Sequence, residues 1–163
     1  MPQNYHVRIE KERLVFCAAH FITYGDDVCE PLHGHNYHVA AEVHGPLDEN
    51  SYVIDFIALR DMLEELVKEL DHHMLLPKEH PTIAVEEGKI EVTVTHSNLR
   101  WIFPRQDCVL LPVANTTAEL LAKYLGDRLL ATLSERLGVR PQRLAVEVDE
   151  CDGQSGIWSW ETE

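Results

Sequence analysis

The chain has no Cys-x-x-Cys pair, since its four cysteines stand at positions 17, 29, 108 and 151. The usual cysteine-based metal and redox motifs are therefore missing, and with nothing that marks export the four read as reduced thiols. No apolar run is long enough to span a membrane, and Met1-Pro2-Gln3-Asn4-Tyr5-His6-Val7-Arg8 lacks the apolar stretch of a signal peptide. A cytoplasmic protein is expected. Basic side chains are scarce: 14 Lys and Arg stand against 28 Asp and Glu, a formal net charge of -14. An excess of that sign repels phosphate backbones and anionic lipid, so neither nucleic acid nor membrane is an expected partner. Repeats and low-complexity tracts are absent too. What is present is a hydrophobic fraction of 45% in 163 residues, enough to build the core of a single domain over 1–163.

Chemistry concentrates in Cys29-Glu30-Pro31-Leu32-His33-Gly34-His35-Asn36-Tyr37 and in Ala18-Ala19-His20. Two histidines separated by one residue leave the same face of an extended strand. Tyr37, Val39, Ala41 and Val43 continue that face, while His38, Ala40 and Glu42 take the other. His20 ends the apolar run Leu14-Val15-Phe16-Cys17-Ala18-Ala19, so a neighbouring antiparallel strand can bring a third imidazole to the pair. Three neutral imidazoles leave one tetrahedral position open, the pattern of a catalytic zinc. An isolated His-x-His is more often a chance pair in a strand. Cys29 and the Asp71-His72 pair, each unremarkable alone, count against chance when taken together with it.

Apolar steps of three and four place Phe56, Leu59, Leu63, Leu66 and Leu70 on one helical stripe. Asp55 is expected as a structural polar residue at its start. A second helix opens at Thr116-Thr117-Ala118-Glu119, which fits a capping box, runs through Leu121, Leu125, Leu129 and Leu133, and stops at Gly138. Two strands follow, at about 144–151 and 156–161, across a polar turn. Residues 78–112 exceed an ordinary helix connection. Within them Ile90 to Thr95 alternates strictly, Ser97-Asn98 turns and Leu99 to Phe103 returns, which predicts a β-hairpin. The expected fold class is α+β: a four-stranded antiparallel sheet in ββααββ order with both helices on one face, and an extra β-hairpin inserted between the helices at 78–112.

Six short motifs in this order resemble the 6-pyruvoyl-tetrahydropterin synthase and 6-carboxy-5,6,7,8-tetrahydropterin synthase family. They are Ala18-Ala19-His20, Cys29 with His33-Gly34-His35-Asn36-Tyr37, Val53-Ile54-Asp55-Phe56, Leu70-Asp71-His72-His73, Asn115-Thr116-Thr117-Ala118-Glu119, and Val148-Asp149-Glu150-Cys151. The resemblance covers most of the chain apart from the stretch between Pro77 and Pro112. It implies the tunnelling fold, in which sheets of several subunits join edge to edge, and hence a homo-oligomer, a trimer or a hexamer, with sites between subunits.

The resemblance also implies roles. His20, His33 and His35 would hold Zn2+, Cys29 would move protons on the substrate side chain, and Asp71 would orient His72 for the same work from the other side. Glu150 would anchor the pterin ring, with Thr117 and Glu119 completing its pocket. The implied reaction is zinc-dependent lyase chemistry on 7,8-dihydroneopterin triphosphate, giving 6-carboxy-5,6,7,8-tetrahydropterin in a queuosine-type pathway or 6-pyruvoyl-tetrahydropterin. An aldolase-like cleavage of dephosphorylated dihydroneopterin and a non-catalytic, zinc-containing pterin-binding module are the alternatives. One mismatch stands out. Where relatives often place basic residues for a triphosphate, this chain has Phe21, Asp26-Asp27-Val28 and Ser159, so triphosphate binding is expected to be weakened, taken over by basic residues of the insert such as Arg100 or Arg105, or absent because the natural substrate is dephosphorylated.

Overall fold

In the computed structural model, which describes residues 4–163, thirteen strands and α-helices follow one another along the chain. They are β1 (Tyr5–His20), β2 (Thr23–Tyr24), β3 (Val28–Cys29), β4 (His33–Gly45), α1 (Phe56–Lys68), β5 (His73–Pro77), β6 (Ala84–Glu87), β7 (Glu91–His96), β8 (Leu99–Pro104), β9 (Cys108–Leu111), α2 (Ala118–Leu137), β10 (Arg143–Cys151) and β11 (Gln154–Glu161). The main sheet has the order β11-β10-β4-β1-β5-β9. Its first four strands pair antiparallel with one another, as the sequence predicts.

The sheet is wider than four strands. β5 adds parallel to β1 and β9 parallel to β5, so the whole is a six-stranded mixed sheet. The cause lies in Met74-Leu75-Leu76, a short run that is buried on both faces and therefore lacks the alternation that marks a half-buried strand. The insert is also larger than a hairpin. β7 and β8 form the expected pair around Ser97-Asn98, and β6 adds a third antiparallel strand.

Both helices cover one face of the main sheet, and their stripes fill the principal core. Leu59, Met62, Leu63, Leu66 and Val67 of α1 join Leu121, Leu125, Leu129 and Leu133 of α2 against Phe16, Val39, Val43, Val146 and Val148 of the strands. Asp55 caps α1, accepting from the N–H groups of Ile57 and Ala58. Phe56 falls off the predicted stripe: it is 56% exposed, and the buried face begins at Leu59. α1 ends at Lys68, so Leu70-Asp71-His72 forms the turn into β5, with His72 at a positive φ of 59°. The cap of α2 lies one residue later than predicted. Thr117, not Thr116, accepts from Leu120 N–H, while Gly138 closes the helix in the left-handed region.

A second, smaller core lies between the insert and the sheet. Phe21, Met74, Leu76, Ile83, Val92, Val94 and Cys108 form it, with Ala19, Cys29, Trp101 and Phe103 packed around. β5 feeds both cores, Leu75 entering the first and its neighbours Met74 and Leu76 the second. Alternating strand geometry makes this unavoidable once both faces are covered.

Candidate functional site

The site is set by register. β1 and β4 pair so that His20 faces His33 and Ala18 faces His35. Gly34 sits between the two histidines of β4, opposite Ala19, and a Cβ there would stand 3.0 Å from the Ala18 carbonyl oxygen. A glycine lets the strands approach at this point. The rings of His20, His33 and His35 consequently meet edge to face at 4.8–5.3 Å between centroids. One ligand atom from each lies within 4.8 Å of the others, and among the described residues this is the one such group.

The tautomers are fixed from behind. His20 Nδ1 donates to the Thr116 carbonyl at 2.8 Å, and His33 Nδ1 to the Pro31 carbonyl at 2.8 Å. Each Nε2 is thereby left as a lone pair aimed at the common centre. His20 is 1% exposed, and burial, reinforced by the two neighbouring imidazoles, lowers its pKa to about 4, so it is neutral at physiological pH. The Nε2 atoms of His20 and His35 are buried without a hydrogen bond. Glu150 Oε1 nevertheless lies 3.1 Å from the first and 3.4 Å from the second. A carboxylate oxygen beside the lone pair of a neutral His20 is repulsive unless a cation lies between them. The donor set therefore fits a zinc ion.

Tyr37 was not singled out from the sequence, although its parity with His35 was legible. It is fully buried, stacks on Phe16 and meets the edges of His20 and His35 at 5.8 and 5.4 Å. Burial, then the charge of Glu150, raises its phenol far above the usual range, so it remains a donor. Thr116 was read as a cap. It proves to be the wholly buried residue whose carbonyl holds His20 and whose hydroxyl donates to the Phe21 carbonyl. Asn115 ties the same loop to the Thr23 carbonyl.

Cys29 is half-buried at the end of β3, its Sγ 3.5 Å from the Glu30 carbonyl oxygen. Burial, followed by the charges of Glu30 and Asp27, raises its pKa. Burial and the two neighbouring carboxylates thus oppose the thiolate, and nearby positive charge would favour it. Glu30, likewise overlooked in the sequence, places Oε2 3.9 Å from His33 Nε2.

Asp71 and His72 form a pair, His72 Nδ1 lying 2.9 Å from Asp71 Oδ2. Asp71 Oδ1 also accepts from Cys17 N–H, and His72 N–H donates to the Cys17 carbonyl. His72 is largely exposed. Thr117 stands half-buried at the start of α2, and Glu119 is exposed in its first turn.

The phosphate substitutes change in the structure. Arg105 is occupied by Glu87, at 2.7 Å from Nε, and by the Cys108 carbonyl, so it is not a free anion site. Arg100 remains exposed on β8. Asp27 is turned away into the insert, its oxygens held by Thr82 and His96.

Comparison with known proteins agrees with this geometry. The family model for 6-pyruvoyl tetrahydropterin synthase matches residues 8–159. A Methanocaldococcus jannaschii protein that carries the name 6-carboxy-5,6,7,8-tetrahydropterin synthase is 30% identical over 146 residues, covering 89% of each chain. A Pyrococcus furiosus dihydroneopterin monophosphate aldolase is 38% identical over 63 residues, 39% of this chain and 53% of that one. The structure of Plasmodium vivax 6-pyruvoyltetrahydropterin synthase superposes with a TM-score of 0.91 at 28% identity, covering 99% of this chain and 100% of that one. With its two helices, its mixed sheets and a match that runs over nearly its whole length, the chain belongs to the 6-pyruvoyl tetrahydropterin synthase family of lyases.

Proposed function

We propose that this chain is a zinc-dependent lyase that converts 7,8-dihydroneopterin triphosphate to 6-carboxy-5,6,7,8-tetrahydropterin, with acetaldehyde and triphosphate as the other products. The observation that carries the reading is the convergence of three imidazoles, two of them locked by backbone carbonyls, beside Glu150. The name of the Methanocaldococcus relative supports the 6-carboxy product. Zinc held by His20, His33 and His35 would supply a Lewis acid for the side-chain hydroxyls. Glu150 offers two acceptor oxygens to the adjacent N–H donors of the 2-amino-4-oxo pyrimidine ring. Thr117 and Glu119 edge the ring pocket, and Cys29 exchanges protons with the side chain.

Asp71 orients His72 and stabilises its charged form. With the His72 side chain largely exposed in the single chain, the dyad is placed to serve the site of a second copy. The reading therefore includes a homo-oligomer of the tunnelling type, trimeric or hexameric, with sites shared between subunits.

A second reading is aldolase-like release of the side chain to give 6-hydroxymethyl-dihydropterin. It is favoured by the Pyrococcus aldolase and by Glu30, a second acid-base group directly beside Cys29 and 3.9 Å from His33. The test is product identification by mass spectrometry after zinc-loaded protein is incubated with dihydroneopterin triphosphate and, separately, with dihydroneopterin. A 6-carboxy product supports the first reading. A 6-pyruvoyl or 6-hydroxymethyl product replaces it, and no turnover with zinc retained leaves a binding module.

A further inference from the structure

The insert reaches the segment that carries Cys29 through two kinds of contact. The first is apolar. Cys29 packs on the second core, together with Phe21 and Trp101, whose rings stack at 4.5 Å, and not on the core beneath the helices that backs the three histidines. The second is polar and grips both arms of the small β2–β3 hairpin. On the outgoing arm, His80 Nδ1 accepts from the N–H groups of Thr82 and Ile83 at 3.0 and 2.9 Å. That fixes the proton on Nε2, which donates to Thr23 Oγ1 at 2.7 Å. On the returning arm, Thr82 Oγ1 donates to Asp27 Oδ1 at 2.6 Å, and His96 Nε2 lies 3.2 Å from Asp27 Oδ2.

Two features mark this as a built joint. His96 is 4% exposed and occupies the third position of the alternating buried set Val92, Val94, His96, where an aliphatic residue would satisfy packing alone. Asp27 holds a left-handed φ of 62°, a conformation that is costly for a non-glycine residue and persists where neighbours over-determine it. Asp27 lies two residues before Cys29. Its displacement therefore moves the thiol relative to the histidines, which are anchored on the other core.

We propose that the insert positions the thiol: His96 and His80, acting through Asp27 and Thr23, fix the β2–β3 hairpin so that Cys29 is presented to the three-histidine cluster. His96 and Asp27 are positioning residues, not catalytic ones. The proposal rests on the assignment of Cys29 as proton carrier, and its test separates the two.

The experiment is iodoacetamide alkylation of the zinc-loaded full chain, with rates for individual cysteines read by peptide mass mapping and with kcat and KM measured in parallel. Cys17 and Cys151 are exposed and lie outside the second core, so they serve as internal references. His96→Ala and Asp27→Ala should change the Cys29 rate at least about fivefold, leave the Cys17 and Cys151 rates and the zinc content as in the parent, and lower kcat about tenfold with KM within about twofold. His96→Gln, which retains a donor, should restore the Cys29 rate to within about twofold of the parent. An unchanged Cys29 rate in both alanine variants overturns the proposal. So does acceleration of all three cysteines together, or loss of zinc in both, because either would reduce the joint to a contribution to global stability. If the Cys29 rate responds but Cys29→Ala retains full turnover, the positioning holds and the proton-carrier assignment fails.

Discussion

The two cores of this protein are built alike and do different work. The larger one, under α1 and α2, backs His20, His33, His35 and Glu150. The smaller, under β6, β7 and β8, backs Cys29. The divide falls between consecutive residues: His20 points into the histidine cluster, while Phe21 enters the second core. In the proposed reading, a metal cage and a proton-carrying thiol meet from separately packed halves. Side-chain precision of the order of half an ångström is easier to hold from packed cores than from free loops.

The largest expected effect breaks the cage alone. His20→Ala should abolish zinc retention on dialysis and turnover with it, while the far-UV circular dichroism stays native. Metal content and turnover are the measurements. Cys29→Ala should do the converse, lowering turnover by about 10²- to 10⁴-fold with zinc stoichiometry unchanged. Adjacent residues of β5 then sharpen the contrast. Leu75→Ala should cost about 2–5 kcal/mol in global unfolding by urea, because it opens a cavity in the larger core. Leu76→Ala opens one in the smaller core, and should loosen the insert with zinc retained and Cys29 alkylated faster.

The smallest effect lies outside both cores, at Asp71. Burial works against its ionised form, but the hydrogen bonds from Cys17 N–H and His72 prevail and hold its carboxyl below the ordinary 3.8. Its contribution is fully present above that value and fades as pH falls through the lower folded one. Asp71→Asn should therefore lower the urea midpoint modestly at pH 7, and the difference from the parent should close as pH falls through that lowered value.

Much of the first region was legible in the sequence, because its elements are periodic and long. The alternation through His33, His35, Tyr37 and Val39 gave the strand face, and the leucine spacing gave both helices. The second region was only partly legible. β7 and β8 alternate and were found, but β5 and β9 are short and lack a clean period, and β6 runs Ala84-Val85-Glu86-Glu87 with no apolar face. The Asp26-Asp27 pair looked unsuited to a triphosphate because sequence gives charge without direction. Asp27 spends its charge on Thr82 and His96. The signal that could have exposed this is His96 itself, a polar residue at a buried step of an otherwise aliphatic alternation.

The shared strand β5 also has a consequence for the order in which the molecule assembles. β1 and β4 meet across a short excursion, and their pairing needs little chain to be closed. β5 can dock on β1 only once α1 has folded back over the sheet, and β9 can dock on β5 only after the entire insert has been traced. Nonlocal parallel pairings of this kind are slow to form. The histidine cage is thus expected to close early in folding, and the bed on which the thiol rests to close last.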